Sequence, residues 1–316
     1  MNRNGLDFTF SWIFAIIAGA VILFSAIYIT NKLISSQELE QDTFVAGQLS
    51  NLLAPIETNL EDTKYSVIEF SEDTRVYNEC SNEGVFGSQK LSTSSKGLGE
   101  DYSKQSVRKS TFNRYIFSMG VEETDGKKMR VITKPLTMPF KIGDIIIMYG
   151  QNYCFVNPTG AIEEELMDIS SDGKQNIGIN ISSNANSCPK DFTKVCFNQI
   201  GCEINVNTQS KVVTKYGKEL YYTGDSLELA AILSDPLIYE CQLKRLASRA
   251  GELGALYSSK STYIEGNGCS NNLVSDLQNF VAATNVNSSR DFTRRLAPIA
   301  QNLEEKNNEL TSCKIF

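Results

Sequence analysis

The sequence predicts an α+β protein with an apolar helix at its start, and three observations support this fold class. An uncharged apolar run from Phe8 to Ile29 has the length of a membrane span. Short segments rich in β-branched and aromatic residues follow it, and after residue 225 the apolar residues recur at helical spacing. We therefore divide the chain into a transmembrane anchor (1–30), a helical stem (31–63), a β-rich extracytoplasmic domain (64–225) and a C-terminal helical domain (226–316).

The apolar run is predicted to be a retained membrane anchor. As a helix it would extend roughly 33 Å, enough for a hydrocarbon core of about 30 Å. Cleaved signal peptides have apolar regions of roughly 7–15 residues and a small-x-small site, which residues 28–32 lack. A buried core helix is the other alternative, but Trp12, Phe14 and the aliphatic residues leave no polar stripe around this one.

The anchor is expected to continue into an amphipathic stem. One helical face of the stem carries apolar residues at spacings of 4, 3 and 4: Val45, Leu49, Leu52 and Ile56. Pro55 is expected to end the helix. Such a stem would lift the rest of the chain off the membrane surface.

Residues 64–222 are expected to form mostly strands, with a helical interruption at 161–169. Asp125-Gly126 between two apolar runs predicts a hairpin turn. The stretch 88–106 is rich in Ser, Gly and Lys and predicts an exposed loop.

Residues after 225 predict three or four antiparallel helices. Asp225 and Glu228 match a capping box, and Asp235-Pro236 predicts a second helix start with Pro at its first position. That helix carries a heptad-like seam of Tyr239, Leu243, Leu246, Ala250, Leu253 and Tyr257. Two further apolar series are Leu273, Leu277 and Phe280, and Phe292, Leu296, Ile299 and Leu303, the latter interrupted by Pro298.

The cysteines predict disulfides in an oxidising compartment. All eight lie beyond the apolar run, without a Cys-x-x-Cys pair or any histidine: Cys80, Cys154, Cys188, Cys196, Cys202, Cys241, Cys269 and Cys313. Cys241–Cys269 and Cys269–Cys313 are alternative links among the helices. Reduced buried thiols in a cytosolic domain are the alternative to disulfides. We expect a cytoplasmic N-terminus and a head outside the cell membrane, where Asn180 and Asn287 fit glycosylation acceptors.

Charge and composition exclude several functions. The formal net charge of −7 argues against a nucleic-acid partner. The absence of histidine excludes Ser-His-Asp and Cys-His catalysis and histidine metal sites. We therefore expect no cofactor and no enzyme activity. The expected partners are the lipid bilayer and either another protein or a second copy of the chain.

One loop carries a partial calcium-binding pattern. Asp168, Ser170 and Asp172 occupy positions 1, 3 and 5 of an EF-hand-like series, and Gly173 follows at position 6. Position 12 is Ile179, where a bidentate glutamate is expected. A polar turn after the 161–169 helix explains the same residues without an ion.

The opening of the chain resembles type IV pilin-like proteins, with a short polar segment ending in Gly5, an apolar helix, a stem and a β-rich head. The resemblance implies cleavage after Gly5 and helices packed at the centre of a filament. It also implies an acid at the fifth mature position, where this chain has Phe10, with Asp7 the nearest acid. The same opening is similar to uncharacterised archaeal single-pass membrane proteins.

Three functions follow as hypotheses. The first is a membrane-anchored structural or interaction protein, the second a pilin-like filament or pseudopilin subunit. The third is a membrane-tethered enzyme that works without histidine, through carboxylates or a Ser-Lys pair that the fold brings together.

Overall fold

A computed structural model describes residues 10–52, 63–96, 101–171, 178–269 and 271–316. A single helix, α1, runs without interruption over Phe10–Leu52. Anchor and stem are therefore one continuous rod. Of the predicted stem face, Leu49 is buried and Val45 half-buried, whereas Pro55 and Ile56 lie outside the described residues.

The head contains three β-sheets. A docking sheet of order β4-β3-β2-β6 receives α1, a central sheet has the order β1-β7-β8-β5, and a six-stranded sheet has the order β10-β9-β11-β12-β13-β14. Their strands are β1 Lys64–Glu69, β2 Thr74–Ser81, β3 Ser88–Ser95, β4 Lys109–Thr111, β5 Tyr115–Phe117, β6 Val121–Glu123, β7 Lys128–Thr137, β8 Lys141–Tyr149, β9 Tyr153–Val156, β10 Ile179–Ser182, β11 Thr193–Phe197, β12 Ile204–Asn207, β13 Val212–Lys215 and β14 Lys218–Tyr221.

The helices complete the α+β fold. They are α2 Ala161–Ser171, α3 Gly224–Leu233, α4 Pro236–Gly266, α5 Val274–Ala283, the short α6 Ser289–Asp291, a π-helical turn Phe292–Leu296, and α7 Ala297–Glu309. Asp235 caps α4 as predicted, since its Oδ1 accepts hydrogen bonds from the backbone N–H of Leu237 and Ile238 at 2.8 and 3.4 Å.

The predicted capping box of α3 is wrong. The helix starts after Thr223 without a side-chain cap, Asp225 lies inside its first turn, and Glu228 is buried. The chain is not interrupted at Pro298: helical structure continues from Ser289 to Glu309, a π-helical turn covers Phe292–Leu296, and Pro298 occupies the first turn of α7. Proline has no N–H to donate, so it is tolerated there.

One large core joins the predicted β-rich and helical parts. Strand residues such as Phe117 and Ile147 pack in the same cluster as Leu243 of α4, Phe280 of α5 and Leu303 of α7. The change of period near residue 225 therefore marks a change of secondary structure within one core.

A second, smaller core lies under α1. Leu49 packs there with Val76 and Leu91 of the docking sheet and Ile146 of the central sheet. The prediction of an exposed loop over 88–106 is wrong for Ser88–Ser95, which forms β3 with buried Leu91, Ser92, Thr93 and Ser94. Small hydroxyl side chains let the backbone approach its neighbours closely while their hydrogen-bonding capacity is satisfied.

The Asp125-Gly126 turn forms, but its flanking strands do not pair with each other. Gly126 and Lys127 have positive φ angles, as a type I′ turn requires. Strand β6 before the turn pairs with β2, whereas β7 after it pairs with β1 and β8. The turn therefore passes the chain from the docking sheet to the central sheet.

All eight cysteines pair: Cys80–Cys241, Cys154–Cys188, Cys196–Cys202 and Cys269–Cys313. Of the two links considered among the helices, Cys269–Cys313 is present, and Cys241 instead reaches 161 residues back to Cys80. That bond joins the docking sheet to α4.

Candidate functional site: an exposed apolar helix and its joint with the head

The first part of α1 is an apolar helix that the head does not cover. The span Trp12–Thr30 has a mean hydropathy of 2.5 and none of it is buried. Its large side chains are exposed, including Trp12 at 63%, Phe24 at 74% and Tyr28 at 68%. Its 19 residues extend about 28 Å, close to the thickness of a bilayer's hydrocarbon core. By length and composition it can cross a membrane; a signal sequence near an N-terminus has the same properties.

The second part of α1 is fixed to the head through Asp42. This carboxylate is 1% exposed and accepts hydrogen bonds from Ser103 Oγ at 2.5 Å and from the Ser95 backbone N–H at 3.3 Å. The backbone carbonyl of Asp42 accepts a third, from Thr93 Oγ1 at 2.8 Å. Hydrogen bonds to a charged group are stronger than neutral ones, so one aspartate determines where the helix meets the sheet.

Packing continues along the same helix face. Ala46 and Leu49 are buried, and with Asp42 they follow the spacing i, i+4, i+7. Directly after Asp42 in the sequence, Thr43 Oγ1 accepts a hydrogen bond from the Val107 backbone N–H at 3.4 Å. The helix is thus held by β3 and by the segment that leads into β4, which restricts the head to one orientation on its rod.

A buried arginine on α4 holds the far end of the docking sheet. The Arg245 guanidinium donates to the carbonyls of Phe86 at 3.0 Å, Arg114 at 2.8 Å and Phe112. It also donates to Gln242 Oε1 at 2.8 Å. These acceptors belong to the β2–β3 hairpin, the β4–β5 connection and α4. Together with Cys80–Cys241, Arg245 fastens the docking sheet to the large core.

A cluster of ionisable side chains between β1, β7, α2 and α3 is the best candidate for chemistry. Lys134 Nζ lies 2.5 Å from Glu165 Oε2, and Tyr65 donates to Glu165 Oε1 at 2.9 Å. Glu228 is 7% exposed and bonds to Tyr222, and its Oε1 has no hydrogen-bond partner among the described residues. Burial raises the pKa of Glu228 to about 7. The cluster could hold a proton near neutral pH.

Three grooves in the described part of the head do not expose that cluster. A groove of about 550 Å³ lies between α5 and α7, one of about 430 Å³ between β7, α3 and α7, and one of about 340 Å³ between α4 and α5. Each is lined by one acidic and one basic residue and by none of Lys134, Glu165 and Glu228. None of these three grooves therefore carries the pair of carboxylates that most glycoside hydrolases use.

Two further buried charges have structural roles. Glu122 accepts the backbone N–H groups of Met119 and Gly150, both at 3.0 Å, and burial raises its pKa to about 7. Lys215 donates to the carbonyls of Ile232, at 2.8 Å, and Ser234, where α3 ends, and burial lowers its pKa to about 7. Each satisfies backbone groups that would otherwise be buried without partners.

The predicted calcium residues do not come together as a described site. Asp168 and Ser170 lie in α2, which extends to Ser171, and Asp172 is outside the described residues. Within the described ranges no group of three His, Cys, Asp or Glu side chains is placed to hold a metal ion. Calcium binding stays a prediction.

The two glycosylation candidates differ in their surroundings. Asn180 is exposed on the edge strand β10, and Ser182 of its acceptor motif is half-exposed. Asn287 is also exposed, but Ser289 of its motif is buried and donates to Glu240 Oε1 at 2.5 Å. Gly5, the candidate for processing, lies outside the described residues.

No known family model matches the sequence, and no curated protein or solved structure is detectably similar to it. Functional assignment therefore depends on the exposed helix, its joint with the head and the disulfides. Sequence reasoning found the helix and the cysteines but missed Asp42 and Arg245. Asp42 stands in a polar stretch and Arg245 in a helix with other charged residues, and neither context indicates burial.

Proposed function

We propose that the protein is a single-pass membrane protein that presents a disulfide-stabilised head on the outside of the cell as a structural or interaction module. The observation that carries the proposal is the exposed span Trp12–Thr30. Its large apolar side chains are exposed, and about 25 cal/mol per Å² of apolar surface favours their removal from water. A lipid bilayer supplies that environment.

The remaining features agree with this function. Four disulfides fit an oxidising compartment and so support the proposed topology, with the head outside and the N-terminus in the cytoplasm. The Asp42 joint holds the head in a fixed orientation on its anchor. A flexible tether would need no such joint, so a defined orientation is part of the proposed role.

A pilin-like filament or pseudopilin subunit is the second candidate. It is favoured by α1, which is unbroken from Phe10 to Leu52, with the head fixed to its second part and the apolar side chains of its first part exposed. In this reading the exposed span would pack against the same span of neighbouring copies after cleavage at Gly5.

The deciding experiment is the intact mass and N-terminal sequence of the protein recovered from its native membrane. A chain that begins at Met1 or Asn2 and resists alkaline extraction supports the anchor. A start at Leu6 would replace it with the filament subunit. A start beyond residue 30 would overturn both, because the apolar span would then be a removed signal sequence.

A further inference from the structure

The surface of the head around strand β4 combines exposed apolar and basic residues. Phe44 of α1 is 65% exposed, Val107 58% and Phe112 63%, and Lys109 lies exposed between the last two. Strand β4 is an edge strand of the docking sheet. We call Phe44, Val107, Lys109 and Phe112 the basic stripe.

The basic stripe is held in place by the backbone interactions described above. The Val107 N–H bonds to Thr43, the Phe112 carbonyl bonds to Arg245, and β4 pairs with β3. Exposed apolar side chains on a fixed backbone lose little entropy when they are covered, which is typical of interaction surfaces.

The stripe lies too far from the membrane to bind lipid. Phe44 follows the end of the apolar span at Thr30 by 14 residues of continuous helix, about 21 Å. The headgroup layer on one side of a bilayer is only about 5–8 Å thick. The surface therefore suits a protein partner.

Charge identifies which partner fits. Residues 88–114 carry six basic and two acidic residues, a formal charge of +4, within a chain of −7. Arg108 is partly neutralised by Glu79 at 3.0 Å.

The helix α2 carries Glu163, Glu164, Glu165 and Asp168 and no basic residue. Glu164 and Asp168 are exposed on it beside Met167, which is 48% exposed. Helix α2 is thus acidic and apolar where the stripe is basic and apolar.

The two surfaces lie on different sides of the head. Helix α2 contacts β1 through Tyr65 and Glu165, at one edge of the central sheet. Strand β4 leads directly into β5, at the opposite edge, three strand spacings or about 14 Å away. One chain cannot bring its own two surfaces together, but two chains can.

We propose that the basic stripe of one copy binds the exposed face of α2 of a second copy. The contact joins two different surfaces, so each copy in a bound pair still has one of its two surfaces uncovered. A third copy can bind there, and rows of heads can grow. Tethering supports this association because it confines all copies to one plane with α1 parallel, and to that extent the inference rests on the proposed membrane anchor.

The test uses the full chain, carrying donor or acceptor dyes on an N-terminal tag, in phosphatidylcholine vesicles. Energy transfer is followed against surface density and salt. The variants are Lys109→Glu, Glu164→Lys and both together, and Lys218→Glu, at an exposed position of β14, is the control that matches Lys109→Glu in charge. We expect the half-saturating density to rise about three- to tenfold in each single variant. The half-saturating density of the double variant should return to within about twofold of the wild-type value. That of the control should equal the wild-type value.

Three outcomes would overturn the inference: transfer no greater than random proximity, single variants that behave like Lys218→Glu, or a double variant weaker than both singles. Alkaline extraction of the same vesicles reports on the anchor separately. If the chain does not insert, the membrane function fails, and sedimentation of the same four variants in solution tests the contact between the two surfaces.

Discussion

The two ends of the head are stabilised by different interactions. The small core under α1 has a few apolar residues and depends on Asp42, Thr93, Ser95 and Ser103 for its fixed geometry. The large core packs aromatic and aliphatic residues from two sheets and from the helices α2, α3, α4, α5 and α7, and the Cys269–Cys313 disulfide reinforces its helical part. Apolar packing gives the larger share of stability, and directed hydrogen bonds give orientation.

The largest expected effect comes from the large core. Phe280 is fully buried, with its ring 5.6 Å from that of Phe140. Phe280→Ala should lower the free energy of unfolding by about 3–5 kcal/mol, since it leaves a cavity that the surrounding side chains fill only in part. Chemical denaturation measures this change. Exposed Tyr263→Ala on α4 is the control, and equal losses in the two variants would contradict the assignment of this core.

Arg245→Met should have the next largest effect and lower the free energy of unfolding by about 2–4 kcal/mol. It leaves the carbonyls of Phe86, Phe112 and Arg114 without their buried donor. Hydrogen exchange should speed up first in the 82–87 hairpin and the 112–114 segment, while α5 and α7 stay protected. Uniform acceleration across the whole head would show that the docking sheet and the large core unfold as one unit.

Ionisation of Glu228 should make stability depend on pH. Burial raises its pKa from 4.5 to about 7, so the folded state holds this proton more tightly than the unfolded state. Stability contributed by the protonated form is complete below about pH 4.5 and falls as pH rises through 7.

Glu228→Gln stays neutral and avoids that loss. The variant should match the wild type at pH 4 and exceed it above pH 7 by roughly 3 kcal/mol at most. Thermal unfolding from pH 4 to 8 measures the difference, with exposed Glu219→Gln as the control. A gap that does not change with pH would refute the buried ionisation.

Asp42→Ala should lower the free energy of unfolding by about 1–2 kcal/mol, the smallest of these changes. Its effect should be concentrated at the joint between α1 and the docking sheet. The Ser103 hydroxyl and the Ser95 N–H lose their acceptor. Exchange should rise in 93–107 and along the second part of α1, with the large core unaffected. Exposed Glu40→Ala on the same helix is the matched control, and if it loosened the joint equally, Asp42 would not be the determinant.

The sequence by itself determined the parts that depend on local pattern. The apolar length of α1, the start of α4 at Asp235-Pro236, the apolar faces of α4 and α5 and most strands follow from periodicity and capping, which act over a few residues. It missed β2, β3, β4 and β11, and β3 most clearly, because Ser-Gln-Lys-Leu-Ser-Thr-Ser-Ser has the composition of a loop.

Only the tertiary structure decided what each polar residue does. Asp42 and Glu40 stand two residues apart on one helix, yet the first is buried and the second exposed, because only the first faces β3. Arg245 binds carbonyls more than 130 residues away in sequence, and Cys241 pairs across 161 residues. Burial, charge state and pairing depend on which distant segments meet, and no local pattern in the sequence encodes that meeting.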